Sequence, residues 1–488
     1  MSTSRAGARG AERRRRHRAR YLGAFAVVLG GLTLLAGAGA VASLVQGPRV
    51  TEVQADPAGS IAQSGSRVIL TANQALAGVD PERVSVTPAT DFTVDAAGRT
   101  VGVRFPAALD ADTTYTVRVE GVRGLGGGPE STLETAFTTP PAEVFVLERD
   151  ESGDDVIRQR TVGGGEGPVV LSAERIDDFR ATSEFVVATV VEGEAMRLVA
   201  VDLSGARFED EGFSAESLPT RDLELPGEGV VTGMQVSERG QLYGYTYTDR
   251  DISADSGRAS VLFTGSLRRA FDQAEAPQPV VIGGEEPQID RWRFVPETSS
   301  LLLNDFGGDL TLIDRESADT DPTSFGLALG IEGVARSTYT AIIDRSDTGL
   351  MSLDLATGEE SSFDDVELDG ETVLNHLVPT PDGGSVRSYA QMEDGMPIEM
   401  RVVRVSADGE ASDVARVAEG DALLQVCASP SAQFTALAVA PSLAQNPYDL
   451  APQPMPRDVE TRIVETRTGE EVETVPGFDV SWCEVGPW

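Results

Sequence analysis

The chain is 488 residues long, with 40 basic and 78 acidic side chains, a formal net charge of −38, two histidines and two cysteines. A field of that sign repels polyanions and argues against nucleic acid as a partner. Two histidines leave little room for a histidine-rich metal site or a histidine-based triad.

Residues 1–20 hold eight arginines (Arg5, Arg9, Arg13, Arg14, Arg15, Arg16, Arg18 and Arg20) and lead into 21–45, a run with no charged residue. At about 1.5 Å per residue, a helix of that length crosses a hydrocarbon core of roughly 30 Å. The segment is therefore expected to be a transmembrane helix of a single-pass cell-membrane protein. Residues 1–20 would form a basic cytoplasmic tail, and the bulk of the chain would be extracytoplasmic. Ala40-Val41-Ala42 fits the small-x-small preference of signal peptidase, but the uncharged run exceeds a usual signal core, which favours a retained anchor. Beyond it remain 32 basic and 77 acidic side chains, a net charge of −45 that keeps the outer part solvated.

Past the prospective anchor, helical periodicity gives way to short β-type runs separated by Gly, Pro, Asp and Ser turns. Over 46–140 the strand candidates are Val68-Ile69-Leu70, Val84-Ser85-Val86, Phe92-Thr93-Val94, 101–105 and 115–119. The stretches Val79-Asp80-Pro81-Glu82-Arg83-Val84, 109–117 and Ala136-Phe137-Thr138-Thr139-Pro140 resemble the bacterial Ig-like domain of surface-layer and secreted proteins. That resemblance implies a β-sandwich acting as a spacer or presentation module. Only glycines surround Leu125, where the family usually carries an aspartate in its last loop.

From 141 to 488 the sequence repeats. An apolar anchor followed by a polar turn and a β-run recurs at Phe179, Val236, Val295, Val334, Val378, Val426 and Trp482, at intervals of 39–59 residues. Glycine closes outer hairpins in 201–205, 353–359 and 465–470. The first unit lacks an inner strand and the last, around Val480-Ser481-Trp482-Cys483, has no unit after it. Joining the two predicts a ring of seven blades closed by the C-terminal strand. The segment resembles the TolB-type and WD-type propellers of secreted bacterial proteins in architecture, without Gly-His or Trp-Asp pairs. The expected fold is thus all-β: an N-terminal transmembrane helix, an Ig-like β-sandwich, then a seven-bladed β-propeller.

Chemistry is sparse. His376 precedes an inner strand and reads as structural, and no nucleophile elbow, phosphate loop or Cys-x-x-Cys occurs. Glu184 and Asp382 stand at turns from which funnel carboxylates could act on a glycosidic bond. Asp249, Asp251 and Asp255 share a loop, and Asp305 and Asp309 flank Phe306-Gly307-Gly308. Either set could hold Ca2+, but Ala254 and Ser260 replace the glycine and glutamate of a calcium loop, and no cofactor is expected. Cys427 and Cys483 each follow an apolar anchor by one residue and are expected to pair. Two long loops, 249–258 and 441–458, would share one face; the second offers Pro447 and Tyr448 for recognition, and deleting 444–457 is expected to spare stability. The expectation is a membrane-anchored binding or scaffold protein for an envelope protein or glycan. The alternative is an envelope polysaccharide hydrolase or lyase; a surface-layer component is a third possibility.

Overall fold

The structure, a computed structural model, describes residues 47–150, 153–206, 208, 213–253, 256–315 and 322–487. The prospective anchor at 21–45 lies outside the described residues. Among the described residues no helix is long and apolar enough to cross a membrane. The chain divides into two compact units. Of the described residues, one unit comprises 47–56 with Arg67–Arg104 and Thr114–Phe137; the other comprises Pro57–Ser66, Phe105–Thr113 and those from Thr138 to 487.

The first unit holds two antiparallel sheets. Four strands run in the order Val50–Gln54, Arg67–Ala72, Thr100–Arg104, Thr93–Ala97, and three in the order Val84–Thr87, Thr114–Val122, Ser131–Thr138. Alternation does the work here: Val68, Leu70 and Ala72 are buried on one strand and Tyr115, Val117 and Val119 on another, with the less buried Ile69, Thr71, Thr116 and Arg118 between them. Val50–Gln54 buries no residue, so it carries no core-facing pattern and escapes a reading by alternation. The Asp80-Pro81 motif starts a short 3-10 turn, Pro81–Arg83, whose N-cap Asp80 accepts from the Glu82 N–H at 3.1 Å.

The second unit is all-β apart from short helices. Sheet 1 (143–173) has three strands, and sheets 2 (176–223), 3 (229–279), 4 (289–327), 5 (330–362), 6 (371–417) and 7 (422–476) have four each, in chain order. The first strands of sheets 2 to 7 neighbour one another in succession, so they form the inner wall of a β-propeller. Apolar clusters weld neighbouring sheets: Val386 and Val402 of sheet 6 meet Leu437 and Val439 of sheet 7, and Val144 and Val146 of sheet 1 meet Ile463 and Val475 of sheet 7. Between sheets 5 and 6 the approach is tight at Gly333, where an added Cβ would stand 2.8 Å from Pro379 Cδ.

Sheet 1 gains its missing inner partner from the C-terminus. Leu147 and Phe478 exchange two backbone hydrogen bonds of 3.0 Å, and the Ser481 N–H donates to Phe145 O at 3.0 Å. The stretch around 480–483, expected as a regular strand, is instead a turn in which the Cys483 N–H donates to Val480 O at 2.8 Å. Asp479 explains the difference, because its φ of 56° takes the chain out of extended conformation just after the Phe478 pairing.

Candidate functional site

The six first strands of sheets 2 to 7 share an irregularity invisible in their composition. Each slips register once against its neighbour, between Ile176 and Asp178, Thr232 and Gln235, Ile289 and Arg291, Ile331 and Gly333, Leu374 and His376, and Leu423 and Gln425. A bulge changes which face a side chain takes, and here it recurs in six successive first strands. Arg291, Glu332, Asn375, His376 and Gln425, all at or beside these slips, line a cavity of about 300 Å³. Strand-by-strand alternation assigns such residues to the wrong face, so the inner wall's polar lining escapes the sequence reading.

A second cavity of about 590 Å³ adjoins the first and shares Arg336, Trp482 and Glu484 with it. It opens where the inner strands end, at Thr182, Ser237 and Ser429. Ile61 of the helix Pro57–Ala62, with Leu109, Phe145, Leu203, Phe208 and Phe294, supplies apolar wall. Glu238 and Glu297 add carboxylates to this lining. The Ser64 N–H donates to Glu297 at 2.8 Å, yet burial outweighs that bond and pushes its carboxyl above the usual range. Burial likewise raises Glu484, against the pull of Arg336 and Arg293.

Beside the cavities lies a sealed ion cluster. Arg180 Nη1 donates to Asp178 Oδ1 and Asp479 Oδ2, each at 2.8 Å, and Gln425 Nε2 donates to Asp479 Oδ1 at 3.1 Å. Burial drives the Asp178 carboxyl well above its ordinary value; Arg180 opposes this and Asp479 reinforces it. His376 bonds Ser388 Oγ through Nδ1 at 2.9 Å, and burial lowers its pKa.

The residues singled out by sequence fall elsewhere. Glu184 pairs with Arg268, whose Nε donates at 2.9 Å. Asp382 pairs with Arg404 and accepts from Thr380 Oγ1 at 2.6 Å; burial pushes its carboxyl up, but these partners together carry it below the usual range. Asp249 accepts from the Arg258 N–H at 2.6 Å, Asp251 is exposed, and Asp255 lies outside the described residues. Asp305 accepts from the Asp309 N–H at 2.9 Å within its own hairpin turn. Among the described residues no group of three or more histidine, cysteine or acidic residues could hold a metal ion. Cys427 and Cys483 form a disulfide with Cα atoms 5.1 Å apart.

The 249–258 and 441–458 loops join second to third strands of sheets 3 and 7, so at least two sheets separate them around the ring. In the latter, Tyr448 is 51% and Leu450 95% exposed. The loop itself is firmly held, contrary to the expectation that its removal would spare stability. Asp449 pairs at 2.7 Å with the buried Arg149, Asn446 Nδ2 donates to Asp458 O at 2.6 Å, and Met455 packs into the core.

No family model matches the chain, and no curated protein matches it. Among solved structures, the chain is similar to the WD40 domain of coronin from Toxoplasma gondii, with 11% identity, 66% of this chain and 74% of that one covered, and a TM-score of 0.37. It is also similar to an uncharacterized protein from Listeria monocytogenes, with 8% identity, coverage of 69% and 92%, and a TM-score of 0.42. A protein from Lactobacillus plantarum gives 9% identity, coverage of 71% and 98%, and a TM-score of 0.39.

Proposed function

We propose that the chain is a non-catalytic binding protein of the cell envelope, anchored through 21–45 with 1–20 in the cytoplasm. In this reading an Ig-like module at 46–140 serves as a spacer and the propeller at 141–488 takes a ligand on its axis, an element of an envelope protein or glycan. The observation that carries the reading is the pair of adjoining cavities, about 590 and 300 Å³, walled by several sheets at once. Further support comes from Asp382, which Arg404 and Thr380 hold below the usual carboxylate range, an environment that suits a fixed anion better than a proton donor. The spacer reading is supported by the two antiparallel sheets and the Asp80-capped turn of the first unit.

The test is photo-crosslinking in cells. A benzophenone amino acid at Ser183, which is exposed and lines the larger cavity, should capture one reproducible envelope component. A crosslinker at Tyr448 asks whether the outer loop docks a partner instead. Capture from neither position would sink the reading.

One observation favours the polysaccharide hydrolase or lyase: Glu297 and Glu484 line one cavity, and burial raises both carboxyls. That reading expects the parent chain to release reducing ends from envelope polysaccharide and Glu297→Gln or Glu484→Gln to abolish the release. A parent chain without activity removes it.

A further inference from the structure

We propose that the axial cavities take up an organic anion, its charged group seated on Arg293 and Arg336 and its carbon skeleton reaching into the larger cavity. The inference rests on the axial binding reading above and names the chemistry of its ligand.

Among the described residues five arginines are buried with their backbone included: Arg160, Arg180, Arg293, Arg345 and Arg387. Four of them meet a carboxylate. Arg160 lies 2.8 Å from Glu148, Arg180 lies 2.8 Å from Asp178, Arg345 pairs with Glu360, and Arg387 reaches Asp365 at 4.0 Å. Arg293 is the exception. It is 6% exposed and donates to backbone carbonyls, Trp292 O at 2.9 Å and Ile331 O at 3.5 Å. Among the described residues no carboxylate lies within 4.0 Å of its guanidinium, nor of the half-buried Arg336. Both arginines line the 300 Å³ cavity.

A buried cation without a counter-charge in contact is unfavourable. It is also unexpected here, since acids outnumber bases by 77 to 32 beyond residue 45. Burial lowers the Arg293 pKa, and the neighbouring Arg291 and Arg180 lower it further. Glu484 and Glu332 act on it from beyond ion-pair contact. An incoming oxyanion supplies the missing charge and matches the planar fork of a guanidinium. Gln425, Asn375 and His376 line the same cavity and add neutral polar groups for orientation.

The organic part follows from the adjoining cavity. Arg336 and Trp482 belong to both walls, and beyond them the 590 Å³ space is lined by Ile61, Leu109, Leu203, Phe208 and Phe294. A ligand bridging the two spaces therefore meets charge at one end and hydrocarbon at the other.

The test titrates three probes into the full-length chain in lipid nanodiscs by calorimetry: 4-phenylbutyrate, phenyl phosphate and the uncharged 4-phenylbutan-1-ol. At least one oxyanion should bind tenfold or more tighter than the alcohol, and which one does so separates a carboxylate ligand from a phosphate. Arg293→Gln should weaken that oxyanion at least tenfold while leaving the alcohol within twofold. Arg336→Gln should act alike, and it carries the test if the deeper substitution fails to fold. Alcohol binding that neither anion exceeds by tenfold overturns the inference but leaves the axial reading standing. Anion binding unchanged in both variants overturns it too. Binding by none of the probes also overturns it, and the Ser183 crosslink then judges the axial reading separately.

Discussion

Arg180, on the first strand of sheet 2, and Asp479, in the C-terminal segment, form an ion pair of 2.8 Å with both side chains shut off from solvent. The pair ties the end of the chain to the inner wall, 299 residues away in sequence. Removing one member of a buried pair strands the other's charge. Asp479→Ala should therefore destabilise the propeller by about 3 kcal/mol, near the low end for such losses because Asp178 still faces Arg180. Denaturant unfolding measures this, and a change below ~1 kcal/mol would mean that the cluster contributes little to closure.

The same cluster sets a pH dependence. Burial first, with Asp479 adding to it and Arg180 opposing, raises the folded Asp178 pKa above its unfolded value near 3.8. Between those two values the native state keeps a proton that the unfolded chain has lost, so this contribution to stability falls as pH rises through the window. Asp178→Asn supplies a permanently neutral group that can still donate to Asp479. The variant should gain stability over the parent at pH 8, and the gap should close toward pH 4. Comparing variant with parent at each pH cancels the opposing contribution of His376, whose lowered pKa favours unfolding as pH falls below about 6.5. A difference independent of pH would refute the assignment.

The Cys427–Cys483 disulfide works on the same closure. It joins the first strand of sheet 7 to the segment that serves sheet 1, across a sequence separation of 56 residues. On chain-entropy grounds a loop of that size is worth about 4 kcal/mol. Cys427→Ala with Cys483→Ala should lower the melting temperature by roughly ten degrees. Reductant should reproduce the shift in the parent and leave the variant unaffected.

That pairing was legible in sequence because both cysteines follow the anchor of a repeating unit. The anchors themselves mark the architecture: Phe179, Val236, Val334, Val378 and Val426 all lie on first strands, and Val295 lies one residue beyond Ile289–Phe294. Repetition carries fold information because each sheet must bury the same face against its neighbour. The axial lining was not legible, since a bulge leaves composition unchanged while altering whether Asp290 or Arg291 lines the cavity. Nor could Ile61 and Leu109 be assigned to the propeller unit, because their local sequence belongs to the run read as an Ig-like module.

Sheet 3 carries an apparent excess of polarity. Tyr243, Tyr245 and Tyr247 alternate along one strand with all three rings fully buried; among the described residues the hydroxyls of Tyr243 and Tyr245 meet no hydrogen-bond partner, whereas Asp249 faces that of Tyr247. Burial raises the pKa of each phenol, that of Tyr247 to about 12. An unpartnered buried hydroxyl costs about 1 kcal/mol or more. Tyr245→Phe keeps the ring stacked on Phe263 at 5.9 Å and removes that cost. It should raise stability by about 1 kcal/mol in equilibrium unfolding, whereas a loss would reveal a partner, such as an internal water.

The 441–458 loop allows recognition to be separated from stability. Tyr448 and Leu450 are exposed on it, while Asp449 between them pairs with the buried Arg149, whose Nη2 also donates to Asp177 O at 2.8 Å. Neighbouring residues thus have opposite duties. Tyr448→Ser with Leu450→Ser should leave unfolding within about 0.5 kcal/mol of the parent, because exposed side chains contribute little to the fold. Asp449→Ala should cost about 3 kcal/mol, because among the described residues Asp177, at 3.7 Å, is then the one carboxylate left within 4.0 Å of Arg149. If the loop also docks an envelope partner, the double substitution alone should abolish crosslinking from Pro447 while the melting temperature holds. Crosslinking that survives it would confine recognition to the axis.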